Sequence, residues 1–423
     1  MVSTTKEQTF ILRGGKPLSG SVPISGSKNA AFGAMAACLL IDEDCVLTNV
    51  PRLRDTDRMV SVLESLGAKV AWEGDNAIRI NAAGVNKETP DRRAAESIRG
   101  SFLIMGALLS RMGAAACPPP GGDVIGLRPV DVHLKGFAAL GAQIVETKEW
   151  FEVSGPELKS AQIFNDYPSV LGTQNLMMAA ARVEGTTTIV NAAAEPEVQS
   201  LAEMLRSMGA DIRGEGTNTV AITGASALHG TEHRIIPDRV ETGTFAIAAA
   251  VTGGDVELQG ATPEHITGLI HKLREAGVTV DADGDRVRVR ATGKLNAVTV
   301  QALPYPGFAS DLQAPMAVLL TQAEGLSRVM ERVFDNRLLY VDELRAMGAR
   351  IDTRDNTTAI ISGPTPLRGT KVNALDIRAG AAVILAGLAA DGQTEVSNIH
   401  HVERGYERID EKLRALGAEI ERA

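Results

Sequence analysis

A six-residue motif, Leu-x-x-apolar-Gly-apolar, occurs six times in this chain and restricts its fold more than any other sequence feature. The copy at 137–142 begins with Phe instead of Leu. The glycines of the six copies are Gly67, Gly141, Gly209, Gly277, Gly348 and Gly417. Successive glycines lie 68 to 74 residues apart, and so regular a period indicates six copies of one structural module.

The sequence around the motif follows one pattern. A strand-like run, such as CVLTNV at 45–50, precedes a helical pattern that ends on the motif. The glycine suits a helix end, where a left-handed backbone is least costly without a side chain. An alternating run, such as AKVAWEG at 68–74, then predicts a second strand. The repeat is therefore a mixed β/α module.

Six such modules predict an α/β chain with two domains of three modules each. The length of 423 residues independently suggests more than one domain. A solenoid is the alternative, but solenoid repeats usually run about 20–45 residues and pack only against their neighbours. Modules of this size are expected to close on themselves around buried helices.

Composition excludes several classes of function. Hydrophobic residues make up 44% and charged residues 22% of the chain, as in soluble globular proteins. A net charge of −9 without a basic face argues against nucleic-acid binding.

The cysteines, Cys38, Cys45 and Cys117, have neither disulfide nor metal-ligand spacing. No apolar run could cross a membrane, and the N-terminal MVSTTKEQTF has no signal core. We expect a cytoplasmic protein.

Two stretches of the first half could carry chemistry. In PISGSKNA, Lys28 and Asn29 open an apolar helix after a polar turn, which would favour an anion. A solvated lysine is the alternative. The extra length of the first repeat interval lies near CPPPGGDVIGLRPVD at 117–131, which contains Asp123 and Arg128. These two residues suit an acid on a closing loop, or equally a turn aspartate beside a surface arginine.

The second half contains isolated charged residues within apolar segments. Arg239 and Glu241 lie in the stretch 233–251, the expected crossing between the domains, and they suit a hinge. The others are Asp311, Arg337, Asp376, Arg378 and Arg404. Most residues of this kind are solvated or paired with an opposite charge.

Taken together, these stretches resemble the enolpyruvyl transferases, in particular those that act on UDP-N-acetylglucosamine. The motifs that carry the resemblance are ISGSKNA, GLRPVDVH, PDRVETGTF, VFDNR and ERGYERI, in the order of the family, and the similarity runs from Phe10 to Arg422. It implies two inside-out α/β domains, each of three modules with pseudo-threefold symmetry. The first domain would span 28–236 and carry the Asp123 loop. The second would comprise 1–27 and 237–423, with the active site in the cleft between the domains.

The resemblance also implies a reaction. The enolpyruvyl group of phosphoenolpyruvate would pass to the 3-hydroxyl of UDP-N-acetylglucosamine by addition and elimination, through a tetrahedral ketal that loses phosphate. This is the first committed step of peptidoglycan precursor synthesis. No metal or organic cofactor is implied. The expected partners are the two substrates, without nucleic acid or membrane, and the chain is expected to be a monomer or weak oligomer.

Site residues follow from the positions that match the family's motifs. Those implied to hold phosphoenolpyruvate are Lys28, Arg128 and Arg404. Those implied to contact the nucleotide sugar are Asn29, Arg99, Arg128, Pro129, Val130, Asp131, Val132, Ser169, Val170 and Val333. Asp311 would face the sugar hydroxyl as base or orienter, with Arg337 and Arg378 as supporting cations.

Three positions depart from the family pattern. Asp123 stands where the family usually has a loop Cys, so as an acid it would need a pKa raised by burial or by substrate charge, which Arg128 would oppose. The epoxide drug fosfomycin alkylates that thiol, and a carboxylate is a poorer nucleophile, so we expect resistance. Leu171 replaces a usual Gly, and a basic residue near Tyr167 is absent. Two alternatives therefore remain: transfer to a different nucleotide or nucleotide-sugar acceptor, or a non-catalytic paralogue that binds a UDP-sugar.

Overall fold

A computed structural model describes residues 8–123, 125–126 and 128–423. Most of the N-terminal stretch in which the sequence predicts no signal, residues 1–7, lies outside this range. Among the described residues no helix is both long and apolar enough to span a bilayer. The chain divides into two compact units. The terminal unit comprises Met1–Ser25, Asp123–Leu127 and Pro237–Ala423, and the central unit comprises Gly26–Gly122 and Arg128–Ile236.

Thirteen α-helices occur within the described residues. They are α1 (Lys28–Ala37), α2 (Arg54–Leu66), α3 (Arg92–Glu96), α4 (Ile104–Met112), α5 (Asp131–Ala139), α6 (Val170–Ala180), α7 (Pro196–Ser207), α8 (Arg239–Val251), α9 (Thr267–Glu275), α10 (Gln313–Thr321), α11 (Tyr340–Ala346), α12 (Ile377–Ala389) and α13 (Ile409–Ala415). Short 3₁₀ turns directly precede three of them, at Arg99–Leu103 before α4, at Pro263–Ile266 before α9 and at Ser310–Leu312 before α10.

Strands alternate with these helices along the chain. Those of the described residues are β1 (Phe10–Arg13), β2 (Ser19–Pro23), β3 (Asp44–Thr48), β4 (Lys69–Glu73), β5 (Ala77–Asn81), β6 (Ala114–Cys117), β7 (Gln143–Glu146), β8 (Phe151–Ser154), β9 (Gln162–Phe164), β10 (Thr186–Val190), β11 (Asp211–Arg213), β12 (Thr219–Thr223), β13 (Glu232–Arg234), β14 (Asp255–Gln259), β15 (Thr279–Asp283), β16 (Arg286–Arg290), β17 (Thr299–Ala302), β18 (Gly325–Glu331), β19 (Arg350–Asp355), β20 (Thr358–Gly363), β21 (Lys371–Asn373), β22 (Gln393–Ser397) and β23 (Glu419–Arg422).

The strands of the described chain form six small sheets, three in each unit. The terminal unit contains the sheets β21-β22-β1-β23, β15-β16-β14-β2 and β17-β18-β20-β19. The central unit contains β11-β12-β10-β9, β13-β3-β5-β4 and the three-stranded β6-β8-β7. Each four-stranded sheet has one parallel edge pair, for example β2 with β14 or β13 with β3, and antiparallel neighbours elsewhere. Six similar sheets confirm the predicted six modules.

The repeat glycines end the outer helices as the sequence predicts. All six glycines of the motif have φ between 90° and 115°, in the left-handed region. Each follows an outer helix and precedes a strand, as Gly67 does between α2 and β4. At Gly67 an added Cβ would also lie 2.4 Å from the backbone oxygen of Gly84, so this position needs glycine for both backbone and space.

The core of each unit is built on three helices that are apolar on nearly all sides. These are α1, α4 and α6 in the central unit, and α8, α10 and α12 in the terminal unit; their buried residues are mostly Ala, Leu, Met, Ile and Val. A helix that is apolar all round is stable only when it is enclosed. The outer helices, such as α2 and α7, bury a single face. This placement confirms the inside-out α/β architecture.

Candidate active site

Asp311 of the terminal unit is bound by two arginines. It lies in the 3₁₀ turn before α10, where the backbone turns into a buried helix. Arg337 donates to Oδ1 at 2.5 Å, and Arg378 donates to Oδ2 through Nε at 3.1 Å and Nη2 at 2.8 Å. Both guanidinium groups are buried, whereas the Asp311 side chain is 27% exposed. Two arginines therefore fix the carboxylate of a side chain that is partly exposed.

The charges around Asp311 keep it ionised. Burial alone would raise its pKa, but the guanidinium groups of Arg378 and Arg337 outweigh that effect and hold the pKa well below its usual range. Such a carboxylate accepts hydrogen bonds well and is a weak base. The arrangement therefore favours an acceptor that orients a hydroxyl over one that removes its proton at the outset.

Arg378 is positioned by the start of α12. Asp376 caps this helix, because its Oδ1 accepts from the backbone amides of Arg378 and Ala379 at 2.7 and 2.8 Å. The guanidinium carbon of Arg378 lies 5.3 Å from the ring centre of Tyr406. Its Nη1 is buried without a hydrogen-bond partner among the described residues, which suits an anionic or carbonyl ligand. Asp376 is thus a helix cap.

Asp123 is also bound by an arginine of the terminal unit, Arg404. Its Oδ1 accepts from Nη1 of Arg404 at 2.6 Å, and the two side chains are 15% and 11% exposed. Both residues belong to the terminal unit. His401 interacts electrostatically with both Asp123 and Arg404. Burial, and then the charge of the neighbouring His400, lower the pKa of His401. The structure thus brings together residues that the sequence predicts only separately: Asp311 binds Arg337 and Arg378, and Asp123 binds Arg404.

Lys28 lies at the first position of α1 in the central unit. Ser27 caps the helix by accepting from the Ala30 amide at 3.3 Å. The Lys28 side chain is buried, and its Nζ lies 3.2 Å from Oδ2 of Asp55. Asp55 also accepts from Arg58 at 3.3 Å. The Lys28 ammonium thus lies at a helix start, where the helix dipole also favours an anion.

Arg99 and Arg128 form a second cationic site of the central unit. Arg99 donates through Nη2 to the backbone oxygens of Arg128 and Pro129, the latter at 3.4 Å. Burial, and then the charge of Arg128, lower the pKa of Arg99 to about 9, so the guanidinium is still charged at neutral pH. Carbonyl partners do not cancel its charge. The site therefore suits a strongly anionic group such as a diphosphate.

His133 fixes the first turn of α5 behind this site. Asn175 of α6 contacts Nδ1 of His133 at 2.8 Å and donates to the backbone oxygen of Phe102 at 2.8 Å. Burial, followed by the charge of Arg99, lowers the pKa of His133 to about 3. The imidazole is therefore neutral at physiological pH, with Nδ1 as acceptor for the amide.

The remaining predicted contacts lie at helix starts. Ser169 caps α6, its Oγ accepting from the Gly172 amide at 3.1 Å, and Val170 follows it. An added Cβ at Gly172 would lie 2.7 Å from Val132, so this glycine lets α6 approach the start of α5.

Leu171, where the family usually has Gly, packs against the core of the central unit. Three others are half-buried or exposed at helix starts or a strand end: Asn29 in α1, Asp131 in α5 and Val333 after β18.

Asp55 and Glu331 contact candidate site residues or their neighbours, and the motifs of the sequence do not predict either of them. In the sequence RDTDRM, Asp55 resembles an ordinary acidic residue in the first turn of a helix, yet its carboxylate binds Lys28. Glu331 is fully buried at the end of β18. A signal for Glu331 existed, because the inward positions of β18 are Ser327, Val329 and Glu331, and a charged residue at an inward position is unusual.

The three cysteines are buried and free. Burial raises the pKa of Cys117 to about 12, in spite of a hydrogen bond with Ser101, so this thiol is not a nucleophile at neutral pH. Burial likewise raises the pKa of Cys38. None of these three buried thiols can therefore replace the loop Cys that the family usually has at position 123.

Comparisons with known proteins match this chain to 1-carboxyvinyltransferases, which are enolpyruvyl transferases. The family model for EPSP synthase (3-phosphoshikimate 1-carboxyvinyltransferase) matches residues 12–413. The UDP-N-acetylglucosamine 1-carboxyvinyltransferase of Halothermothrix orenii is 49% identical, covering 97% of this chain and 98% of the relative. That of Magnetococcus marinus is 46% identical, with 98% and 99% covered. The crystal structure of the enolpyruvyl transferase NikO from Streptomyces tendae superposes with a TM-score of 0.89 at 27% identity, with 99% of each chain covered.

Proposed function

The chain belongs to the EPSP synthase family, and we propose that it transfers the enolpyruvyl group of phosphoenolpyruvate to the 3-hydroxyl of UDP-N-acetylglucosamine, with release of phosphate. Relatives that carry this name are 44–49% identical over nearly their full length. The structural observation that carries the proposal is Asp311, which Arg337 and Arg378 fix while its side chain stays partly exposed. The product would be the first committed precursor of peptidoglycan, and the proposed location is the cytoplasm.

Asp311 would orient the sugar hydroxyl and accept its proton late. Its depressed pKa makes it too weak a base to ionise a free hydroxyl. As the hydroxyl oxygen bonds to C2 of phosphoenolpyruvate, however, the hydroxyl proton becomes strongly acidic, and a weakly basic carboxylate then suffices. The same step adds a proton at C3, which gives the tetrahedral ketal. Loss of one proton from the C3 methyl group and of phosphate from C2 restores the double bond.

Asp123 would supply the proton at C3 once phosphoenolpyruvate has displaced it from Arg404. A carboxylate that accepts from a guanidinium has no proton to donate, so the Asp123–Arg404 pair must separate first. The phosphate of the substrate is the stronger ligand for a guanidinium. Once released, the Asp123 carboxylate would take up a proton from solvent and pass it to C3. In this proposal the substrate generates its own acid.

The cationic residues of the central unit would bind the anionic groups of both substrates. Lys28, at the start of α1, suits the phosphate of phosphoenolpyruvate, together with Arg128. Arg99 keeps its charge and suits the diphosphate of the nucleotide, as does the capped start of α6 at Ser169. Val333 remains the proposed contact to the sugar. None of these roles calls for a metal or cofactor, and the monomer or weak oligomer remains a prediction.

The direct test is phosphate release from phosphoenolpyruvate with UDP-N-acetylglucosamine as acceptor. We expect release only when the sugar nucleotide is present, and formation of its enolpyruvyl ether by mass spectrometry. Asp311→Asn is the negative control, and Asp352→Asn, an exposed acid of the same unit, is the matched positive control. Release with shikimate 3-phosphate or with UDP alone, and not with the sugar nucleotide, would assign another acceptor. Binding of the sugar nucleotide without any release would identify a non-catalytic binding protein.

A further inference from the structure

Glu331 is a fully buried acid that the proposed reaction does not use. Its two oxygens face two different segments of the terminal unit. Oε1 accepts from the backbone amides of Val333 and Phe334, at 2.8 and 3.3 Å. Oε2 accepts from Oγ of Ser310 at 2.6 Å. The carboxyl group thus links the segment after β18 to the 3₁₀ turn that carries Asp311.

The direction of the hydrogen bonds in this link is fixed by chemistry. Arg337 donates to Oγ of Ser310 at 2.7 Å, and a guanidinium has no acceptor. The single hydroxyl proton of Ser310 is therefore donated to Glu331. Arg337 in turn donates to Asp311 at 2.5 Å. A continuous chain runs from the Val333 amide through Glu331, Ser310 and Arg337 to the Asp311 carboxylate.

The backbone of Arg337 is fixed separately. Gln313 donates to the backbone oxygen of Arg337 at 2.9 Å, and Tyr340 donates to Gln313 at 2.8 Å. Both side chains are buried. With the main chain of Arg337 held in this way, the direction of its guanidinium depends on its acceptors, Ser310 and Asp311. Glu331 is the group that orients Ser310.

We propose that Glu331 is a positioning residue that sets the Asp311 carboxylate and the Val333 peptide in one fixed relation. The inference rests on the proposed function, because Val333 and Asp311 are there the sugar contact and the orienter of the sugar hydroxyl. Burying an acid is costly, and an apolar residue at this inward position of β18 would fold more easily. The acid is explained if recognition of the sugar and alignment of its hydroxyl both depend on it.

Glu331→Gln separates this role from simple packing. The amide has the shape of the acid, but only one of its two ends accepts. If its oxygen faces the Val333 and Phe334 amides, the hydroxyl proton of Ser310 loses its acceptor. If its oxygen faces Ser310, the NH₂ group opposes two backbone N–H donors. Neither orientation satisfies both segments.

The experiment compares Glu331→Gln with wild type in steady-state phosphate release and in calorimetric binding of UDP-N-acetylglucosamine. We expect kcat to fall about 30-fold and the dissociation constant of the sugar nucleotide to rise about tenfold, as when a buried hydrogen-bonding group is left unpaired. The KM for phosphoenolpyruvate should change less than threefold, since neither segment belongs to its proposed site. Ser310→Ala should lower kcat in the same direction by less. In the Glu331→Gln background Ser310→Ala should cost little more, because both variants break the same link.

Val329→Ala is the matched control for stability. Val329 is buried on the same face of β18 two residues away, so its truncation lowers the melting temperature without touching the link. Wild-type kinetic parameters in Glu331→Gln, or in Ser310→Ala if Glu331→Gln does not fold, would overturn the proposal. So would an equal loss in Val329→Ala, or additive effects in the double variant. Inactive wild-type protein would instead overturn the proposed function.

Discussion

Asp311 and Asp123 are both bound by guanidinium groups in the terminal unit, and the two arrangements differ in permanence. Asp311 lies in a turn before a buried helix and receives three hydrogen bonds from two buried arginines. Asp123 lies in the segment 123–127, which joins two stretches of the central unit in sequence. Among the described residues, its side chain accepts one hydrogen bond, from Arg404. The neighbouring Gly122 has φ of 110°, a conformation that favours glycine.

From this difference we predict two different roles for one residue type. A carboxylate held by several donors with buried partners cannot be released without leaving buried charges unpaired, which is strongly unfavourable. A carboxylate held by one donor can be exchanged for a competing anion. We therefore expect Asp311 to act as a fixed acceptor and Asp123 as an exchangeable group, and the two positions should respond differently to substitution, drug and pH.

The largest contrast should come from fosfomycin. Wild-type protein should retain full activity in excess drug, because a carboxylate is a poor nucleophile for the epoxide. Asp123→Cys should be inactivated completely and gain the mass of one drug molecule. The label should map to residue 123, since Cys38, Cys45 and Cys117 are buried. Covalent labelling of the wild type would contradict this account of the loop.

Asp311→Asn should have the next largest effect. The variant keeps the shape of the side chain but leaves two buried guanidinium groups without their counter-charge. We expect kcat to fall by about 10²–10³-fold, as when one preorganised group of a reaction centre is removed. Steady-state phosphate release gives the value. If Asp123→Asn costs more than Asp311→Asn, the proposed ranking of fixed and exchangeable groups is wrong.

Asp123→Asn should lower both kcat and the KM for phosphoenolpyruvate, for two different reasons. The amide cannot donate a proton as an acid does, so we expect kcat to fall about 100-fold. It also competes less for Arg404, so the KM for phosphoenolpyruvate should fall severalfold. Unchanged kcat with lowered KM would leave Asp123 as a latch without an acid role. A raised KM would show that the Arg404 pair does not compete with the substrate.

The smallest expected effect is that of pH on sugar binding. The pKa of Asp311 lies below its usual range, so Asp311 stays ionised above the ordinary value of about 3.9. The stability it contributes is present there and is lost only as pH falls through the folded-state pKa. The pKa of His133 is about 3, so His133 stays neutral. Binding of UDP-N-acetylglucosamine, measured by calorimetry between pH 5 and pH 8, should change less than about twofold.

Much of the fold was accessible from the sequence because the repeat is regular. A glycine that must end a helix recurs in each module, and six copies of one β/α unit restrict the chain to few architectures. The three-stranded sheet β6-β8-β7 was not anticipated. This sheet lacks a fourth strand because the segment near Glu88, which lies beside β6, does not form a regular strand. The contact between them is a hydrogen bond from the Ala116 amide to the backbone oxygen of Glu88.

The candidate site was accessible only as separate residues. The resemblance supplied the positions of Asp311, Arg337 and Arg378, but their mutual hydrogen bonds depend on three segments far apart in sequence. The Asp123–Arg404 pair spans 281 residues. No local pattern encodes a contact at that separation, and a charged residue alone does not reveal whether its partner is solvent, carbonyl or carboxylate.

The pairing of β1 has a consequence for how the protein is made. Arg13 of β1 lies opposite Gln393 of β22, and Phe10 lies opposite Arg422 of β23. A ribosome adding about 5–20 residues per second reaches β22 roughly 20–80 seconds after completing β1. Every strand of the central unit, by contrast, finds its partners between residues 44 and 234. The central unit can therefore fold during synthesis, whereas β1 stays unpaired until β22 and β23 have been synthesised.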